Sequence, residues 1–133
     1  MNALYLLLQA KEDRNIDVLA LNAEAHGGMI IMEHNTERAL AFELLQFGDI
    51  MKNVLKHLSP SKICDFLKDV CVKVTDFVTQ CHVLNATDVA NETDRENRVR
   101  SRLLLCEATR RVMAMCFALL GMRGLAGLWQ SSI

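Results

Sequence analysis

The chain has 133 residues, enough for one packed domain, and a formal net charge of -1, which excludes a globally basic nucleic-acid binder and confines any RNA contact to a local patch. Hydrophobic residues make up 51% against six glycines and one proline, which excludes a disordered or collagen-like chain. Scarce aromatics, at 5%, favour helices over a sandwich or barrel, and no apolar run is long enough to span a membrane.

In chain order, Asn2 to Ala25 predicts a first helix, broken near the polar KEDRN and ended by Gly27-Gly28. MIIM at 29–32 reads as a buried connector. Asn35-Thr36 supplies N-cap residues for a second helix running to Leu58, with a stripe of Leu40, Leu44, Phe47, Met51 and Leu55 and a kink at Gly48. Ser59-Pro60 reads as N-cap and first residue of a third helix over 61–83, because proline there sacrifices no hydrogen bond. Its buried face is expected to carry Ile63, Phe66, Leu67, Val70, Val74, Phe77 and Val78. The nearly apolar-free NATDVANETDREN, 85–97, predicts a solvated loop. A fourth helix is expected from Glu96 to Leu120, closed by Gly121, before a tail at 123–133 that holds the single tryptophan. Amphipathic helices without repeats define an all-α class, a helical bundle forming a single domain over 1–133.

Catalytic patterns are missing from the residues. The histidines His26, His34, His57 and His82 are scattered, and there is no HExxH, nucleophile elbow or glycine-rich phosphate loop. The five cysteines are odd in number and form no CxxC, so buried free thiols in a reducing compartment, and no metal site, are expected. Carboxylates such as Glu37, Glu43, Asp49, Asp65 and Asp69 are expected on solvated helix faces, and Glu107 can pair with Arg110 or Arg111. No secretory signal is visible, so a cytoplasmic location is expected.

Basic charge concentrates at Arg95, Arg98, Arg100, Arg102, Arg110 and Arg111. Arginine suits phosphate because its planar fork donates two parallel hydrogen bonds. The run reads either as a solvated helix start, diluted by Asp94 and Glu96, or as a grip on an RNA backbone, with Arg98, Arg102, Arg110 and Arg111 the candidates.

Four blocks carry a family resemblance: HNTERALAFELLQF (34–47), LSPSKICDFLKDV (58–70), VTDFVTQCHVL (74–84) and SRLLLCEATRRVMAMCFALLGM (101–122). In this order and spacing they resemble the C-terminal DALR-type anticodon-binding domain of arginyl-tRNA synthetases. The resemblance implies a class I synthetase helical bundle that clasps the anticodon stem-loop of tRNA(Arg), so tRNA(Arg) is the implied partner, with the remainder of a synthetase as a further candidate. It implies base contacts from an aromatic-x-x-x-Arg pair on the first helix, from the close of the third helix and from the chain's end. Tyr5 and Gln9 match the first spacing with an amide in place of the guanidinium. Val78 stands where the family places a second aromatic; His82, just beyond, either stacks on a base or is solvated, and Trp129 either stacks or caps the core.

Nothing in the chain resembles the HIGH and KMSK signatures that hold ATP and the adenylate. The family's activity is ATP-dependent arginine–tRNA ligation; ATP and arginine would bind a catalytic domain absent from this chain. No cofactor is therefore expected, the chain alone is expected to be inactive, and its first helix is expected to be truncated. The alternatives are a non-catalytic tRNA(Arg)-binding adaptor and a degenerate helical fragment acting only as a protein-interaction module.

Overall fold

A computed structural model describes residues 30–83, 86 and 90–122. Every regular element among them is helical: α1 (Asn35–Leu45), α2 (Phe47–His57), α3 (Ser61–Gln80) and α4 (Glu92–Leu119). The expected first helix, the 123–133 tail, Tyr5, Gln9 and Trp129 lie outside the described residues.

The second helix is capped by His34 instead of Asn35-Thr36. The ring Nδ1 of His34 accepts the Thr36 N–H at 3.3 Å, and Glu37 Oε2 accepts the His34 N–H at 3.1 Å, so two of the amides left over at a helix start find partners. That helix breaks at Gln46, two residues before the expected kink, where the Gln46 N–H tightens onto the carbonyl of Glu43 at 3.2 Å. Phe47, Ile50, Met51 and Val54 of α2, at i, i+3, i+4 and i+7, meet the core. Leu55, expected on the stripe, turns out to solvent at 75% exposure.

α3 begins at Ser61 and buries Ile63, Phe66, Leu67, Val70 and Phe77, with Val74 and Val78 half-buried beside them. Phe66 meets Phe47 of α2 at 6.0 Å between ring centroids. α4 starts at Glu92, four residues earlier than expected, with Asn91 at its cap position and Glu92 and Asp94 in its first turn, where acids suit the helix dipole. It closes on Gly121 as expected: φ is +76°, the Gly121 N–H bonds Ala118 O at 3.1 Å and the Met122 N–H bonds Phe117 O at 2.9 Å. This paired arrangement is a Schellman stop.

Two apolar clusters result. Leu40, Phe77, Val99, Leu103 and Cys106 centre one, joining α1, α3 and α4. Ile63, Phe66, Leu67, Val70 and Cys116 centre the other, where α2 packs across α3 and the last turns of α4. Residues 98–109 of α4 are buried on most sides, so this segment is the axis of the bundle. Cys81, Cys106 and Cys116 are buried as expected, whereas Cys64 and Cys71 are exposed on α3. Among the described residues no helix is long and apolar enough to cross a membrane, and no group of metal-ligating side chains gathers.

Candidate functional site

The charged residues of α4 sort by what holds them. Arg102 lies at the centre of the bundle, and it and Glu37 are each 1% exposed. Its Nε donates to Glu37 Oε1 at 2.6 Å and its Nη1 to the carbonyl of His82 at 3.1 Å. Glu37 in turn accepts the His34 N–H. The start of α1, the end of α3 and the middle of α4 are thus joined through one guanidinium. Glu37, expected on a solvated face, is corrected to a core residue: the α1 cap turns its carboxylate inward, and Arg102 compensates its charge. The signal was present in the sequence as a glutamate three residues after the cap, the position whose carboxylate reaches back to the cap amide.

Arg98, one turn earlier, is also buried and its Nη2 donates to Glu33 Oε2. Arg38 Nη2 donates to the Glu33 carbonyl at 2.6 Å, and the Ile31 N–H donates to Ser101 Oγ at 3.1 Å. The connector expected at MIIM is therefore stitched to α4 over its described residues. Arg98 and Arg102 both face inward, toward the chain that leads into α1, and give little surface to an outside phosphate.

Glu107 is buried and receives two guanidiniums. Arg110 holds it in a bidentate pair, Nε and Nη2 each at 2.8 Å, and Arg111 Nε adds a third bond at 2.8 Å. Both expected i+3 and i+4 pairs therefore form. Burial pushes the Glu107 carboxyl up, but the hydrogen bonds and charges of Arg110 and Arg111 outweigh it and hold the group below its ordinary range. Arg110 is correspondingly raised by its bond to Glu107. Arg110 is mostly covered, whereas Arg111 is 54% exposed and keeps donors turned to solvent. Beside it, Ile30, Met32, Leu104, Leu105 and Ala108 line a shallow apolar hollow of about 220 Å³.

His82 follows the end of α3. Its ring is exposed, while its carbonyl accepts both Arg102 Nη1 and the Ala86 N–H, the latter at 2.8 Å. Ala86 is buried with φ at +39°, a left-handed turn that this bond helps to hold. Of the expected contact residues, His82 and Arg102 are thus brought together, and Arg110 and Arg111 share one carboxylate.

Known proteins are similar to this chain in sequence. The family model for the DALR anticodon-binding domain matches residues 8–127. The chain is 40% identical over 94 residues to the cytoplasmic arginine–tRNA ligase of Arabidopsis thaliana, covering 71% of this chain and 14% of that protein. It is 33% identical over 127 residues to the cytoplasmic arginine–tRNA ligase of Xenopus tropicalis, covering 91% and 19%. A third relative, the arginine–tRNA ligase of Nostoc punctiforme, is 31% identical over 116 residues, covering 87% and 18%. The chain belongs to the DALR anticodon-binding domain family, in the form found in arginyl-tRNA synthetases. It spans less than a fifth of the length of these curated relatives. No solved structure matches it.

Proposed function

We propose that the chain binds the anticodon stem-loop of arginine tRNAs and so supports arginyl-tRNA formation in the cytoplasm, in company with the catalytic part of a synthetase. The observation that carries this reading is the family match across residues 8–127, in a domain described by anticodon binding. Its relatives are named as arginine–tRNA ligases, two of them cytoplasmic.

Chemistry of the surface supports a division of labour. A phosphate or base needs donors that reach solvent, which favours Arg111 and the ring of His82. Arg98, Arg102 and Arg110 are engaged with Glu33, Glu37 and Glu107 and serve the scaffold. Tyr5, Gln9 and Trp129 remain contact candidates outside the described residues.

Titrating the full chain with tRNA(Arg) and with a second tRNA across a salt series tests the proposal. Binding should favour tRNA(Arg) and weaken with salt, by a slope of about 0.7–0.9 for each phosphate contact. Equal affinity for both tRNAs would remove the arginine-specific role. No binding at low salt would leave only the protein-interaction reading.

A further inference from the structure

We propose that Arg102 is a positioning residue for RNA binding, acting through the backbone of His82 and never touching the RNA itself. This inference rests on the tRNA-binding reading and adds a specific device to it.

The His82 carbonyl is where α3 ends and the path to α4 begins. Two donors converge on it: the Arg102 guanidinium at 3.1 Å and the Ala86 amide at 2.8 Å. A carbonyl held by two donors fixes its peptide plane, and because the His82 Cα lies in that plane the point from which the side chain leaves is anchored. The exposed side chain of His82 therefore leaves the surface from a point held from inside the core.

Arg102 is itself buried and held at both ends of its guanidinium. Glu37 neutralises it at 2.6 Å, the His34 amide anchors Glu37 at 3.1 Å, and Thr36 Oγ1 lies 3.3 Å from Cys81 Sγ, tying the residue before His82 to the same α1 start. A single planar fork spans carboxylate and carbonyl together. A lysine ammonium is a point charge on a flexible stem and lacks that fork. Base stacking is sensitive to ring direction, so a loosened His82 loses affinity without any change in its own chemistry.

The test is a double-mutant cycle on the full chain, with tRNA(Arg) affinity as readout and circular dichroism confirming the fold. Arg102→Lys should weaken binding about tenfold, as should His82→Ala, each forfeiting much of one stacking contact. In the His82→Ala background, Arg102→Lys should add less than about twofold, because the residue it positions is gone. Additive losses, or an Arg102→Lys variant that binds like the unaltered chain, would overturn the inference. Arg102→Gln supplies a second readout: the salt slope should stay constant, and a decrease of about 1 would make Arg102 a phosphate contact instead. If the unaltered chain binds tRNA(Arg) and His82→Ala changes nothing, positioning falls and the tRNA-binding proposal stands. If the unaltered chain binds no tRNA, both fall.

Discussion

Glu107 gathers two guanidiniums around a buried carboxylate, and such a site has a large asymmetry between keeping and breaking it. A buried pair contributes modestly against an apolar replacement, whereas removing one partner strands the other. Glu107→Gln keeps the shape and loses the charge, so a cost of about 2 kcal/mol is expected at neutral pH, read from the urea midpoint. The pH dependence follows from the direction of the shift. The folded carboxyl titrates below its ordinary value of 4.5, so at acid pH the unfolded chain binds the proton first. The stabilisation is present above about that value and disappears as pH falls through the lower, folded one. Stability should drop on acidification in the unaltered chain, and this part of the drop should vanish in Glu107→Gln. An identical acid limb in both proteins would rule out Glu107 as its source. The pairing of Glu107 with its arginines was legible from spacing alone. For Glu37 the sequence showed the reach back to the cap amide but not the pairing with Arg102, since spacing gives no statement of which distant neighbours will enclose a polar residue.

Helix ends and breaks divide the same way. Gly121 was readable as a stop because its φ of +76° is a conformation that glycine adopts without penalty. The break at Gln46 had no comparable mark, and Gly48 attracted the expectation instead. Gly48 lies inside α2, and a Cβ added there would meet nothing within 4 Å. Gly48→Ala should therefore stabilise the protein by about 0.5–1 kcal/mol, through helix propensity and a less flexible unfolded chain. Gly121→Ala has equal space but the wrong backbone conformation, and should cost about 1 kcal/mol. Thermal unfolding of the two variants should shift in opposite directions; a destabilising Gly48→Ala would mean that α2 is not helical there. The early start of α4 also had a legible signal, Asn91 followed by Glu92 and Asp94, which polar composition disguised as loop.

Across the whole molecule, the five thiols report packing. Burial alone pushes Cys106 up to about 12 and Cys116 up to about 11, so neither offers thiolate at neutral pH, and Cys81 is buried as well. Cys64 and Cys71 face solvent on α3. Alkylation of the native chain at neutral pH, mapped by mass spectrometry, should label these two and reach Cys81, Cys106 and Cys116 only on unfolding. Rapid native labelling of Cys106 would contradict the central position of α4. The sequence alone determined the all-α class, the apolar faces of α1 and α3, the stop at Gly121 and the family, because these depend on periodicity, capping chemistry and motif order along the chain. Tertiary structure decided which arginines are available to a ligand. Arg98, Arg102, Arg110 and Arg111 share one residue class on one helix, yet Arg111 remains largely exposed whereas the others are mostly covered. For Arg98 and Arg102 the difference comes from Glu33 and Glu37, each 65 positions away, which packing brings to them and local spacing cannot show.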